Sequence, residues 1–238
     1  MAHGRSIFSN RRVAERRRAR LWRILRTALL LLIGVPLLLI LLYGVLPPPG
    51  TPLMVIRMIE GESVARQWVA LEEMSPHLPR AVIAAEDNNF CQHDGFDWGA
   101  VQEAVTELRD GKRPRGASTI SMQTAKNLFL WPGRDYLRKG LEVYLTLLLE
   151  LGWSKRRILE VYLNVVEFSG GVYGAEAASR HYFGKPAKAL TQREAALLAT
   201  VLPNPRERSA AKPGSDQKRM ASTLISRIKQ IEPLLDCF

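Results

Sequence analysis

The chain has 238 residues, a formal net charge of +11 and only two cysteines. Residues 1–26 hold nine Arg against the single Glu15, which is +8 of the total, while the remaining 212 residues, with 25 Lys and Arg against 22 Asp and Glu, carry only +3. A basic tail can mean nucleic acid, but the stretch that follows gives it a topological role instead. Two cysteines are also too few for a disulfide framework, and no Cys/His spacing suggests a metal centre.

After the tail come 20 uncharged, mostly aliphatic residues, 27–46, long enough to cross a bilayer as one helix. Gly34 and Pro36 lie inside it, and transmembrane helices tolerate both. The main rival is a cleaved signal peptide, whose apolar region is ~7–15 residues and is followed by a small-residue cleavage site. Here Pro47-Pro48-Pro49-Gly50 follows instead, so an uncleaved anchor is expected. The preceding Arg block places the N-terminus in the cytoplasm, and residues 47–238 on the outer side. Those 192 residues are enough for one domain with its own core. Cys91 and Cys237 would then meet an oxidising compartment, and residue order leaves open whether they pair.

Residues 47–70 are a linker. A stiff proline-rich exit leads to a weakly extended stretch, 52–71, around a Glu60-Gly61 turn. Beyond it the signals are helical. Ser75-Pro76 and Pro79 introduce a helix whose apolar residues Val82, Ile83 and Ala85 end in Glu86 and Asp87. A polar turn from Asn88 to Asp97 follows. Asp97 caps a helix over 98–110, closed by Gly111, and a basic loop spans 112–116. Ser118 caps a helix running to about Leu130, and Pro132-Gly133 breaks it. A Leu-rich helix covers 136–151. Ser154 caps another over 155–164. A loop with Gly170, Gly171 and Gly174 leads to a small-residue helix ending at Gly184. Thr191-Gln-Arg-Glu194 is a capping box for a helix to Val201, and a last helix covers 216–231. The fold class is mainly α.

Three stretches could carry chemistry. A helix that delivers a carboxylate from a core to a polar turn can hold a general base still, and Glu86 stands at such a point. The plainer alternative is a solvated helix end. The loop at Gly116-Ala117-Ser118-Thr119 precedes a helix N-terminus, whose free N–H groups can hold an anionic oxygen. That helix adds Gln123, Lys126 and Asn127 on one face. Arg134, Arg138, Lys139 and Glu142 follow. Four cations around one carboxylate suit a phosphate site, against the plainer alternative of a surface helix in which Arg138 pairs with Glu142. A base plus a phosphate-neutralising segment suits glycosyl transfer from a lipid diphosphate.

Five ordered segments resemble the monofunctional biosynthetic peptidoglycan glycosyltransferases, relatives of the glycosyltransferase module of bifunctional penicillin-binding proteins. They are Glu86-Asp-Asn-Asn-Phe-Cys-Gln-His-Asp-Gly95, Gly116-Ala-Ser-Thr-Ile-Ser-Met-Gln-Thr-Ala-Lys-Asn127, Arg138-Lys-Gly-Leu-Glu142, Lys155-Arg-Arg-Ile-Leu-Glu-Val-Tyr-Leu-Asn164, and Gly174 through Tyr182-Phe-Gly-Lys185. The likeness covers roughly 71–205. It implies a lysozyme-like helical domain over 71–238 and polymerisation of lipid II into β-1,4-linked glycan, with inversion and release of undecaprenyl diphosphate. Glu86 would be the general base. Glu142 would support the diphosphate site, with a divalent cation (Mg or Mn) and no organic cofactor. Lys126, Arg134 and Arg138 match phosphate-binding cations. Ser118, Gln123 and Asn127 match donor-site positions. Asp87 and His93 match too, and are as readily structural.

Where the family often has two glutamines in the second motif, this chain has Met122 before Gln123. Ile158, Leu159, Tyr162 and Leu163 are expected in the core. Residues 98–115 lie where the family has a membrane-touching element. The implied partners are lipid II, the growing strand, membrane lipid and a separate transpeptidase, with no nucleic acid, at the inner membrane with a periplasmic domain. Two alternatives stay open: a lysozyme-type glycan-cleaving enzyme, which would have no diphosphate to neutralise, and a non-catalytic membrane-anchored scaffold of wall synthesis.

Overall fold

The computed structural model describes residues 4–112, 116–133 and 135–238, with side chains from Glu15 onward. Arg113, Pro114 and Arg115 of the expected basic loop and the expected phosphate ligand Arg134 lie outside the described residues. The chain divides into two units between Val45 and Leu46.

The first unit is one helix, α1 (Gly4–Val45), with Pro36 inside it. Its stretch Glu15–Val45 is long and apolar enough to cross a membrane. The apolar side chains from Leu29 to Leu32 stand exposed, as a lipid-facing surface requires and a water-facing one does not.

The second unit is mainly α-helical. Its first element corrects the expectation of an extended 52–71: α2 (Pro52–Ile59) is a helix. Thr51 caps it by accepting the Met54 N–H, and Pro52 occupies the first turn, where its missing N–H costs nothing. Only Ala65–Arg66 keeps the strand character, as β1. It pairs in parallel with β3 (Val172–Tyr173), which pairs antiparallel with β2 (Glu167–Ser169), giving the order β1-β3-β2. Gly174, at φ +82, ends this small sheet, since a Cβ there would lie 2.8 Å from the Asn164 carbonyl oxygen.

Two helical layers carry the rest. α3 (His77–Glu86) packs against α9 (Gln192–Val201) and α10 (Ser215–Ile231). α5 (Ile120–Phe129) packs against α6 (Tyr136–Gly152) and α7 (Lys155–Val165). α4 (Trp98–Arg109), capped by Asp97 as expected, buries none of its residues. α8 (Ala175–Phe183) follows the sheet and ends at Gly184, and the Thr191–Glu194 capping box forms as the sequence predicts. The cap of α5 differs from the expected one: Thr119, not Ser118, accepts the Met122 N–H, and it also donates to the Gly95 carbonyl at 2.6 Å. The residue whose hydroxyl serves both ends of the turn takes the cap.

The core runs through both layers. Leu78, Ala81, Val82, Ile83, Phe90, Ile120 and Leu198 are fully buried, as are Ile158, Leu159, Tyr162 and Leu163 of α7. Cys91 and Cys237 form a disulfide that fastens the C-terminus to the turn after α3.

Candidate active site

α3 is held on all sides before it reaches the site. Ala81 through Ala84 have no exposed surface, and Arg227 of α10 donates from Nη1 to the Ala84 carbonyl at 3.1 Å. That bond satisfies one of the carbonyls a helix end leaves open. Glu86 is the last helical residue and Asp87 the cap.

The two adjacent acids diverge. Asp87 is 7% exposed and turns inward. Its Oδ2 accepts the Ile120 N–H at the start of α5 at 2.9 Å, and its Oδ1 meets His93 Nε2 at 3.0 Å. Anion and helix N-terminus suit each other. Asp87 and His93 therefore fasten the turn after α3 to α5: both Asp87 oxygens are engaged, and the other His93 nitrogen, Nδ1, is buried without a partner among the described residues. Gly95 completes the turn at φ +91, where a Cβ would sit 2.9 Å from Thr146 Cγ2.

Glu86 turns the other way. Its Oε2 accepts Gln123 Nε2 at 2.8 Å, and Gln123 Oε1 accepts the Tyr162 hydroxyl at 3.0 Å. Tyr162 is 0% exposed. Burial pushes the Glu86 carboxyl above the ordinary glutamate range, and the neighbouring Asp87 charge adds to the rise. The Gln123 N–H and the charges of Lys126 and Arg208 oppose it. A carboxyl tuned upward yet held by one donor suits a general base.

Each residue of this pair borders a cavity of its own. The larger, about 680 Å³, is bordered by Glu86, Asp97, Glu103, Ser118, Thr119 and Arg227. The other, about 300 Å³, is bordered by Gln123, Lys126, Asn127, Trp131, Val166 and Leu202. The Gln123–Glu86 hydrogen bond thus bridges a side of the site that holds the carboxylate and a side that holds the lysine. Gln123, Lys126 and Asn127 share one cavity, as their spacing on α5 predicts. Ser118 lies with Glu86 on the larger one. Burial lowers the Lys126 ammonium below its usual range, with Glu142 and Glu86 opposing and Arg138 and Lys139 reinforcing. No residue among those described makes an ion pair with it.

Arg138 and Glu142 do pair, but inside the protein rather than on its surface. Arg138 Nη1 lies 2.7 Å from Glu142 Oε2, and Lys139 Nζ lies 2.6 Å from Oε1. Glu142 is 3% exposed. Each of its oxygens already meets a cation, whose positive charge disfavours a metal ion at the same carboxylate. Among the described residues no cluster of three His, Cys, Asp or Glu could hold one. The donor set does not fit a metal held by the protein alone. What Glu142 does is fix a two-cation edge on α6, of which Lys139 is the half-exposed member.

Two residues escape sequence reasoning. Tyr162 lies in the core as expected, yet its hydroxyl is the third member of the Glu86 chain. The available signal is that a buried phenol needs a partner. Arg227 belongs to the last helix, outside every motif, and only the packing of α10 on α3 brings it to the site.

A model of the transglycosylase family matches residues 53–229, which extends beyond the five motifs into α10. The chain is 53% identical over 210 residues to the biosynthetic peptidoglycan transglycosylase of Rhodospirillum centenum, covering 87% of this chain and 91% of that protein. It is 52% identical over 196 residues to the protein of the same name from Caulobacter vibrioides, covering 81% and 86%. It is likewise 52% identical over 200 residues to the one from Pseudomonas fluorescens, covering 82% and 83%.

Proposed function

The chain belongs to the transglycosylase family and is a peptidoglycan glycosyltransferase of cell-wall synthesis, and from that premise we infer that it polymerises lipid II into β-1,4-linked glycan strands. Glu86 takes the proton of the acceptor's 4-hydroxyl. The freed oxygen attacks the donor's anomeric carbon from the face opposite the diphosphate. A carbon–oxygen bond forms, the bond to the diphosphate breaks, and the sugar is inverted. The undecaprenyl diphosphate leaves with the bonding electron pair. Charge develops at that leaving group, and preorganised cations stabilise it best where water is sparse.

The observation that carries this assignment is the Glu86–Gln123 hydrogen bond of 2.8 Å, which links a residue lining one cavity to a residue lining another, with the half-buried Lys126 one turn further along α5. The acceptor hydroxyl is assigned to the Glu86 side and the donor diphosphate to the Lys126 side, with Arg138 and Lys139 completing its cationic surroundings and Asn127 lining the same cavity as Lys126. Arg134 belongs to the same expected set. Ser118 lines the acceptor side. A divalent cation enters this scheme as a companion of the diphosphate, since Glu142 already holds Arg138 and Lys139.

α1 anchors the chain to a membrane, which keeps the domain beside a lipid-borne sugar. We place it in the inner membrane with the Arg-rich end cytoplasmic and the domain periplasmic; the Cys91–Cys237 disulfide supports an oxidising side. Cross-linking of the strands falls to a separate transpeptidase.

Purified full-length protein incubated with lipid II, with and without chelator, is expected to give long glycan strands and free undecaprenyl diphosphate. Cleavage of preformed glycan without synthesis would instead identify a hydrolase, and binding without turnover a scaffold. Loss of synthesis in chelator would show that the cation is required.

A further inference from the structure

We propose that the Tyr162 hydroxyl is a positioning group for the Glu86 base, acting through the Gln123 amide. This rests on Glu86 being the base of the reaction above.

A glutamine amide has a donor end and an acceptor end of almost the same shape, and its partners decide which way it faces. Gln123 has one partner that only accepts, the ionised Glu86 carboxylate, and one that can donate, Tyr162. With the phenol donating to Oε1 at 3.0 Å, Nε2 is left pointing at Glu86 Oε2 at 2.8 Å. The phenol itself cannot drift. It sits at the end of a fully buried ring, between Val161 and Leu163, which are also fully buried on α7. Burial and the nearby Glu86 and Asp87 charges also hold the Tyr162 hydroxyl protonated, well above the usual tyrosine range. It therefore remains a donor over the whole working pH range. Core packing is thereby transmitted to the base through two hydrogen bonds, which is how a rigid supporting layer fixes a catalytic group.

Without that hydroxyl, Gln123 would be held at one end only. Its side chain borders the 300 Å³ cavity, so it has room to turn away from Glu86. The carboxylate would lose its only side-chain hydrogen-bond donor among the described residues. The other charges around Glu86 would be unaltered. These are Asp87 beside it, Lys126 on α5 and Arg208 after α9. Asp97 and Glu103 line the larger cavity with it, and Asp216, Arg219 and Arg227 of α10 border a third cavity that it also lines. A change confined to Tyr162 thus isolates the amide. Losing a donor to the charged form moves a carboxyl's titration upward.

The test is Tyr162→Phe, which deletes one buried oxygen and keeps the ring. The expected result is an unchanged melting temperature and a KM for lipid II close to that of the parent. kcat falls roughly tenfold, the size of one hydrogen bond to a charged group, and the acidic limb of the kcat–pH profile moves to higher pH. Gln123→Met should move the limb in the same direction. The double variant should be no worse than Gln123→Met alone, because the two residues act in series. A parent-like kcat and pH profile in Tyr162→Phe overturns the proposal, as do losses that multiply in the double variant. If Tyr162→Phe melts early, the Gln123→Met profile decides: an unmoved limb rejects the chain of bonds and a raised limb supports it. Glu86→Gln run alongside separates the two levels. Activity in that variant would remove the base itself, whereas an inactive Glu86→Gln beside a parent-like Tyr162→Phe removes only the role of Tyr162.

Discussion

Asp87 Oδ2 accepts the backbone N–H of Ile120 at 2.9 Å, across 33 residues of sequence. This bond joins the turn that follows the base to the first turn of the helix that carries Gln123 and Lys126. The two halves of the site are in register because a carboxylate beside the base is spent on structure. Asp87→Ala should therefore leave a buried N–H and the His93 imidazole without their partner, destabilising the domain by about 1–3 kcal/mol. Urea melts read that loss. Polymerisation should fall along with it even under conditions where the variant is folded, and a folded variant with parent activity would show that the register is set elsewhere.

Glu86 makes the opposite trade. Its carboxyl titrates above the ordinary glutamate range because of burial, so the folded state holds that proton more tightly than the unfolded chain does. Between the two titration points the folded state binds more protons, and its stability falls as pH rises through that window. At neutral pH the charged carboxylate is therefore a cost to the fold. Glu86→Gln should abolish strand synthesis and yet melt at or above the parent temperature at pH 7, with the difference vanishing in acid below the ordinary glutamate range. A variant that melts lower at neutral pH would contradict the burial argument.

Much of this was legible in residue order. The helix ends were, because Asp97, Ser154 and the Thr191–Glu194 box carry their own capping chemistry. The grouping of Gln123, Lys126 and Asn127 followed from helical spacing alone. The 52–59 helix was not legible, because its β-branched and apolar residues read as strand while Thr51 and Pro52 at its start tip it to helix. Nor could spacing tell Thr119 from Ser118 as the cap, since the deciding bond goes to Gly95, 24 residues away. Tyr162 and Arg227 reach the site only through tertiary packing, and the Cys91–Cys237 pairing likewise depends on where α10 lies.

Lys126 is expected to separate binding of the diphosphate from folding. Its ammonium is lowered by burial, so the charge is a burden that the fold carries for the ligand. Lys126→Ala should keep or raise the melting temperature and lower kcat/KM for lipid II by roughly a hundredfold, as the loss of one preorganised cation at a leaving group does. Glu142→Ala should behave differently, because it strands the buried Arg138 without its counter-charge and costs about 3–5 kcal/mol of stability. Comparing the two variants by calorimetry and turnover checks the division of labour. An unfolded Lys126→Ala would assign the lysine to structure instead.

The disulfide gives the last measurable consequence. Cys91 lies in the short turn after α3, and its bond to Cys237 closes a loop over a sequence separation of 146. In the chain-entropy account a loop of that length restricts the unfolded chain by about 5 kcal/mol, which is an upper figure for the stability it adds. The same end of the chain is also held by Gln92 Nε2 donating to the Leu234 carbonyl at 3.4 Å, a contact too long to replace it. Reductant should therefore lower the urea midpoint of the parent by several tenths of a molar or more, and leave a Cys91→Ser, Cys237→Ser double variant unmoved. Because Cys91 lies five residues after Glu86, synthesis by the reduced protein should fall at temperatures where it is still folded. An identical midpoint with and without reductant would mean that the packing of α10 on α3, and not the disulfide, secures the C-terminus.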